Sequence, residues 1–188
     1  LSANGTDISA IKAYLFDADN NPIQNETVYF KTEYGTILPS AVTDEWGEAT
    51  VNLRSSRFNR ISTVTARYGT LSKSTPVRFT GSEMNGAALP LVLVGDGETK
   101  SKITVSLNDA SGASIVDAIV TLSTSLGTLH SADLLTSGTS IVDSTSTDGK
   151  VTAYLSSDNA GDALVTFVAP GVRDSLEVHF TDYTFSLA

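Results

Sequence analysis

The sequence contains no cysteine, one methionine, one tryptophan and two histidines among its 188 residues. Without cysteine, the chain forms no disulfide and has no thiolate for metal binding or nucleophilic catalysis. His130 and His179 lie far apart in the sequence, so histidine-based acid–base or metal chemistry has little material. We therefore expect a scaffold or a binding protein rather than an enzyme, with no catalytic residues and no cofactor.

Long hydrophobic segments and a basic surface are also missing. The longest apolar run, residues 87–94, is interrupted by Pro90, whereas a membrane-spanning helix needs about twenty residues. The formal net charge is −9, and nucleic acids are bound by clusters of lysine and arginine. The sequence therefore predicts no transmembrane segment and no nucleic-acid partner.

Helical periodicity is absent as well, because no window of a dozen residues carries apolar side chains about 3.6 positions apart. Short segments of alternating apolar and polar residues appear instead, for example at 11–15 and 49–53. Turn-forming residues separate these segments at intervals of roughly ten positions. This pattern predicts an all-β protein of the β-sandwich type, without any helix longer than about two turns.

The two halves of the chain resemble each other. A shift of 92 positions aligns 11–36 with 103–128 without a gap, and a shift of 102 aligns 47–53 with 149–155. The aligned pairs include Ile11 with Ile103, Leu15 with Leu107, Gly35 with Gly127 and Leu53 with Leu155. We interpret the chain as a tandem duplication, with a first domain at 1–84 and a second at 85–188.

The alignment shift increases from 92 to 102 between these two segments, so the second copy has additional residues there. We interpret them as a loop insertion at about 130–147. Residues 135–141 alternate around Ser137 and Gly138, which predicts a small extra hairpin. Its apolar tip would either brace a neighbouring domain or contact a ligand. The expected tip residues are Leu134, Leu135, Ile141 and Val142.

Several short motifs of the first copy occur in the order typical of one bacterial family. They are Ala3-Asn4-Gly5, Asn21-Pro22-Ile23, Gly35-Thr36-Ile37, Thr43-Asp44 followed by Gly47-Glu48-Ala49, and Val77-Arg78-Phe79. The combination resembles the group 1 bacterial immunoglobulin-like (Ig-like) domain, the repeat of intimin- and invasin-type adhesins. The second copy departs from the pattern at Gly95-Asp96-Gly97 and at Ser114. The resemblance implies two tandem Ig-like β-sandwich domains.

The same resemblance implies a place and a role for the chain. Adhesins of this type are anchored in the outer membrane and project a distal recognition domain from the bacterial surface through tandem sandwiches that carry no catalytic residues. The chain is then expected to be an extracellular segment of a longer protein, anchored through a region outside it, with neighbouring Ig-like domains as partners. In the first copy only Leu1 and Ser2 correspond to residues 91–94, so this copy is expected to have a truncated N-terminal strand.

Five residues of the first copy are candidates for partner contacts. Arg54, Arg57 and Arg60 concentrate positive charge around Phe58 in an otherwise acidic chain, and Trp46 lies in a turn. The cluster is either a solvated strand edge or a contact site for an acidic partner. Trp46 either packs over the end of the sandwich or stacks on a sugar.

One acidic loop resembles the start of a calcium site. Asp17, Asp19 and Asn21 have the spacing of calcium ligands, but Val28 stands where an EF-hand needs its last acidic residue and Pro22 where it needs glycine. We therefore interpret the loop as a plain turn and predict no metal site. Weak calcium binding there, or at Asp96 and Glu98, is the alternative.

Three functional interpretations follow. The first is a structural spacer of a cell-surface adhesin. The second is a module that binds a host receptor or a glycan through Trp46, the arginine cluster or the insertion. The third is a pair of accessory domains of a secreted polysaccharide-degrading enzyme. A large exposed aromatic or apolar patch would favour the second over the first.

Overall fold

A computed structural model describes residues 1–182 and confirms the all-β expectation. The chain divides into two compact units. The first unit comprises Leu1–Ser82 and Asp109–Ser111, and the second comprises Glu83–Asn108 and Gly112–Ala188. No helix in the described part of the chain is long and apolar enough to cross a bilayer.

The first unit has two antiparallel sheets. Its strands are β1 (Ile8–Tyr14), β2 (Thr27–Thr32), β3 (Ser40–Val42), β4 (Glu48–Arg54), β5 (Arg60–Tyr68) and β6 (Leu71–Phe79). Strands β1 and β4 form one sheet, and the other has the order β3-β2-β5-β6. Ser2 forms an isolated parallel bridge to Thr80, and Thr36 forms an antiparallel bridge to Arg54.

Alternation along the strands builds the core of this unit. In β4, Ala49, Val51 and Leu53 are buried, whereas Thr50 and Asn52 are exposed. Side chains of a strand point alternately to opposite faces, so one face of β4 is dry and the other is solvated. The buried clusters comprise Ala3, Leu53, Val64 and Phe79, and Val28, Phe30, Ala49 and Val51.

The second unit has two larger sheets. Its strands are β7 (Glu83–Leu89), β8 (Val92–Val94), β9 (Ser101–Asn108), β10 (Ile119–Thr124), β11 (Thr128–Ser131), β12 (Ser137–Gly138), β13 (Ser140–Ser144), β14 (Lys150–Ser156), β15 (Gly161–Ala169) and β16 (Val172–Thr181). One sheet has the order β13-β10-β15-β16-β8 and the other β12-β11-β14-β9-β7.

Strand pairing repeats between the two units. Ile11 pairs with Val51 in the first unit, and their aligned partners Ile103 and Ala153 pair in the second. Likewise, β2 pairs with β5 as β10 pairs with β15. Residues aligned by the sequence shifts therefore occupy equivalent positions in the two units. For the last two strands of each unit, the shift is 101.

Strand β7 begins at Glu83, close to the boundary that we expected between residues 84 and 85. Met84 is buried and pairs with Leu107 of β9, and this apolar contact makes the segment a strand. The second unit therefore opens two residues before the expected boundary and ahead of the apolar segment 91–94.

The expected hairpin around Ser137 and Gly138 was wrong. Strand β12 pairs with β11, whereas β13 pairs with β10 in the other sheet, so the chain changes sheets at Thr139. The reason is Ile141, whose side chain is buried in the core. Leu134 and Leu135 are exposed in the turn between β11 and β12, while Ile141 is not part of any tip.

Candidate functional site

Trp46 lies in the turn between β3 and β4, and 69% of its surface is exposed. The Asp44 carboxylate fixes this turn, because it accepts hydrogen bonds from the backbone N–H groups of Trp46 and Glu48, both at 2.9 Å. An ordered turn thus holds the indole toward solvent. Packing of the indole over the end of the sandwich, one of the two alternatives, does not occur.

Two further exposed aromatic residues lie near the end of β1. Tyr14 and Phe16 stack with their ring centroids 6.4 Å apart and an interplanar angle of 8°. Tyr14 pairs with Glu48 at the start of β4, so the stacked rings and Trp46 belong to the same end of this sheet. Sequence reasoning missed both rings, although they follow Lys12 at the outward positions of an alternating strand.

The arginine cluster lies at the other end of β4. Arg54 ends that strand and is exposed, and Arg60 begins β5. Arg57 and Phe58 are half-buried in the connecting loop. The six steps from Glu48 to Arg54 span about 20 Å of extended strand. The structure therefore does not bring Trp46 together with the four residues of the cluster.

Two of the arginines have partners within the first unit. The guanidinium of Arg60 lies 4.8 Å from the ring centroid of Tyr34, in a cation–π geometry. Arg57 contacts the Asp109 carboxylate through Nη2 at 2.8 Å and through Nε at 2.9 Å. Only 2% of the Asp109 side chain is exposed. These contacts favour a structural role for Arg57 and Arg60.

The comparisons with known proteins place the first unit in a family. Residues 1–80 match the family described as bacterial Ig-like domain (group 1). The first unit is a group 1 bacterial Ig-like domain. The second unit repeats its strand pairing. No curated protein sequence matches the chain.

The chain aligns with several solved structures, and the first of them shares its fold. The adhesin InvE of Yersinia pseudotuberculosis aligns with a TM-score of 0.62 and 18% identity, over 95% of this chain and 55% of InvE. Invasin, described as a bacterial integrin-binding protein, aligns with a TM-score of 0.45 and 26% identity, over 97% of this chain and 37% of invasin. The D0–D1 domain of intimin aligns with a TM-score of 0.41 and 26% identity, over 96% of this chain and 93% of the intimin fragment. The chain spans about half the length of InvE.

An ion pair connects the two strands of the smaller sheet in the Ig-like domain. Lys12 Nζ lies 2.7 Å from Glu48 Oε1, and the Thr50 hydroxyl donates to the same oxygen at 2.6 Å. Hydrogen bonds from Lys12, Thr50 and Tyr14, in that order of effect, lower the pKa of Glu48 to about 2. The Glu48 carboxylate in turn raises the pKa of Lys12 and of Tyr14.

Replacing Lys12 with methionine should raise the pKa of Glu48 from about 2 toward its ordinary value of 4.5, because the strongest donor is lost. The wild-type ion pair stabilises the fold above pH 4.5, and this contribution is lost as the pH falls toward 2. An NMR titration of the Glu48 side-chain carboxyl carbon measures both pKa values. Lys31→Met, at an exposed lysine of β2, is the control; an unchanged Glu48 pKa in Lys12→Met would contradict the assignment.

The acidic loop after β1 is ordered by its own hydrogen bonds. Asp17 Oδ1 accepts from the backbone N–H groups of Asp19 at 2.9 Å and Asn21 at 2.8 Å, and Oδ2 accepts from the Asn21 amide at 3.1 Å. These bonds lower the pKa of Asp17, with the backbone bond from Asn21 having the largest effect. The geometry is that of a turn in which a side chain satisfies the backbone.

The second calcium candidate has the same character. Asp96 accepts hydrogen bonds from the backbone N–H groups of Glu98 at 2.9 Å and Thr99 at 2.6 Å, and from the Thr99 hydroxyl at 2.6 Å. Within residues 1–182, no group of three or more histidine, aspartate or glutamate residues is placed to hold a metal ion. Both loops are therefore self-contained turns.

Thermal unfolding should be the same with and without a chelator, because the Asp17 and Asp96 carboxylates already accept hydrogen bonds from their own loops. Differential scanning calorimetry of the chain in EDTA and in millimolar calcium measures this. Asp17→Asn tests the first loop separately. A melting temperature that rises with calcium in the wild type, but not in this variant, would establish a calcium site at 17–21.

Proposed function

We propose that the chain is a spacer segment of a bacterial cell-surface adhesin. In this role, its two Ig-like sandwiches stand outside the outer membrane and carry a distal binding domain away from the surface. Their partners are neighbouring domains of the same protein. The membership of residues 1–80 in the bacterial Ig-like family supports this role.

The observation that carries the proposal is that one sandwich pattern is built twice in succession, and that each copy has its own core. Phe79, Leu53 and Val64 are fully buried in the first unit, and Phe180 and Phe167 in the second. A spacer needs closed domains that keep their fold on their own, and it needs no reactive site. The fold shared with the adhesin InvE is consistent with this use.

Surface display tests the spacer role. Residues 1–188 are inserted between an outer-membrane anchor and a small antigen-binding domain, on bacteria that carry their full surface polysaccharide. Bacteria with the insert should capture antigen-coated beads several-fold better than bacteria with the anchor joined directly to the binding domain. A glycine–serine linker of 188 residues is the matched control, because it adds chain length without folded domains. Equal capture by the direct fusion would contradict the proposal.

The exposed aromatic residues favour a second candidate function, a glycan- or receptor-binding module. Trp46 and the stacked pair of Tyr14 and Phe16 offer flat rings of the kind that pack against sugars. A spacer predicts that the purified chain does not bind host cells or glycan arrays. Saturable binding that is lost in Trp46→Ala and kept in Tyr29→Ala, an exposed tyrosine of β2, would instead establish a binding module.

A further inference from the structure

The outer face of one sheet in the second unit carries no charge across three neighbouring strands, β13, β10 and β15. Side chains of a strand alternate between two faces, so the residues that flank the buried Leu122, Ile141 and Phe167 point away from the core. Over 119–123, 140–144 and 164–168, the outward positions hold only serine, threonine, valine, isoleucine and leucine. The unit as a whole is strongly acidic, because it has twelve aspartate or glutamate residues against four lysine or arginine residues, a net charge of −8.

Large apolar side chains are exposed on this face. Val142, Thr121 and Val168 form one row across three strands, because Thr121 pairs with Val142 on one side and with Val168 on the other. The four largest apolar side chains of the face, Ile119, Val142, Leu164 and Val168, are each 45–63% exposed. Contact with another protein surface would remove this apolar area from water.

Two opposite charges border the uncharged strands on β16, the next strand of the sheet. Arg173 pairs with Val168, and Glu177 pairs with Leu164, with Ser175 between them. All three β16 residues are exposed. Arg173 and Glu177 lie about 13 Å apart along the strand. Neither forms an ion pair with any other residue of 1–182.

The first unit lacks this arrangement, although its last two strands pair in the same way. Arg67 of the first unit stands where the second unit has Val168, so a charge occupies the centre of the face. The β6 positions that correspond to the two charged residues of β16 hold Ser72 and Pro76. The Ig-like fold therefore does not require an uncharged face with opposite charges at its border.

We propose that the outer face of β13, β10, β15 and β16 binds the same face of a second copy of the chain, with the strands of the two copies antiparallel. A two-fold axis that crosses the strands at Ser175 places Val168 of one copy over Leu164 of the second copy. The same axis places Arg173 of one copy over Glu177 of the second copy. Each contact occurs twice, because the pair is symmetric. This match of apolar with apolar and of charge with opposite charge identifies a second copy as the occupant.

The charge and the size of the face determine how strong the dimer is. Two units with a net charge of −8 repel each other, so they approach best through uncharged faces. At the β16 border, the opposite charges attract across the axis. The spacing and rise of the four strands give a face of roughly 15–20 Å on each side. This area is smaller than the about 800 Å² per partner of a standard interface, so we expect a weak dimer.

The dimer does not depend on the spacer role, because contacts of the second unit alone carry it. The result of the surface-display experiment is therefore independent of the result for the dimer. One consequence does rest on the proposed function: in a spacer, an antiparallel pair would join chains that extend toward each other from two surfaces.

Charge reversal tests the proposal on the whole chain. Arg173→Glu and Glu177→Arg each place like charges across the axis, so either variant should raise the dissociation constant of the dimer at least about tenfold. An equimolar mixture of the two variants restores opposite charges at both contacts and should associate as tightly as the wild type. Lys102→Glu, at an exposed lysine of the other sheet, is the control and should leave association unchanged. Sedimentation velocity at chain concentrations up to millimolar measures each dissociation constant.

Cross-linking tests the antiparallel arrangement. The chain has no cysteine, so a short bismaleimide links only introduced thiols. A mixture of Val168→Cys and Leu164→Cys should be linked more readily than either variant with itself. Circular dichroism verifies that each variant is folded. Four results would overturn the proposal: a wild-type chain that stays monomeric at every concentration, equal association of the charge-reversed variants and the wild type, no recovery in their mixture, or preferential linking of Val168→Cys to itself.

Discussion

Replacement of Phe79 with alanine is expected to lower the free energy of unfolding of the first unit by about 3–5 kcal/mol, the usual cost of removing a buried phenylalanine side chain. Phe79 is fully buried and packs in one cluster with Ala3, Leu53 and Val64. Domains are stabilised by only about 5–15 kcal/mol, so the loss removes a large part of the total. The single tryptophan, Trp46, makes urea unfolding of this unit measurable by fluorescence.

Two variants calibrate this result. Phe79→Leu retains most of the buried surface and should cost about 1.5 kcal/mol or less. Phe58→Ala removes a half-buried ring of the arginine cluster and should cost clearly less than Phe79→Ala. If Phe58→Ala and Phe79→Ala had equal effects, the core of the first unit would have been assigned to the wrong residues.

Replacement of Gly35 with alanine is expected to destabilise the first unit by about 2–5 kcal/mol, which combines the cost of a left-handed backbone with that of overpacking. Gly35 has a φ of +77°, and a Cβ atom there would overlap the carbonyl oxygen of Arg54. The same oxygen accepts the backbone N–H of Thr36, so the strand cannot move away without breaking this bond. Urea unfolding followed by Trp46 fluorescence measures the change.

Gly69→Ala separates the two contributions. Gly69 also has a positive φ, +56°, but nothing lies within 4 Å of the Cβ position. This variant should therefore show only the backbone cost, about 1–2 kcal/mol. If Gly35→Ala were as stable as Gly69→Ala, the Arg54 carbonyl would move aside without a cost in free energy, and the prediction would be wrong.

Local alternation was sufficient to predict most strands, because burial of one face of a strand leaves a period of two in the sequence. Segment 83–89 was not predicted to be a strand, and the cause is physical. Its central inward position is Gly86, which the ring of Phe167 requires, so the strand has the composition of a linker. The hairpin predicted around Ser137 and Gly138 was wrong for a related reason. A turn-forming dipeptide does not determine which distant strands the flanking residues pair with.

The candidate site was predictable only in part. The sequence placed Trp46 in a turn and showed the cluster of arginines, but it left open whether the indole packs over the end of the sandwich. The partners of that cluster were not predictable, because Tyr34 and Asp109 are distant in sequence from Arg60 and Arg57. Contacts that depend on the packing of separate loops leave no local pattern, so the sequence alone could not distinguish a binding surface from a structural network.

The parallel pairing of β8 with β16 has a mechanical consequence. His179, Phe180 and Thr181, at the end of the second unit, lie beside Val92, Leu93 and Val94 near its beginning. A force that pulls Val92 and Thr181 apart therefore acts along these two strands in opposite directions. Their hydrogen bonds must slide and break together, instead of opening one after another as at the end of an antiparallel hairpin. Separation of these two points is thus resisted by the whole pair of strands.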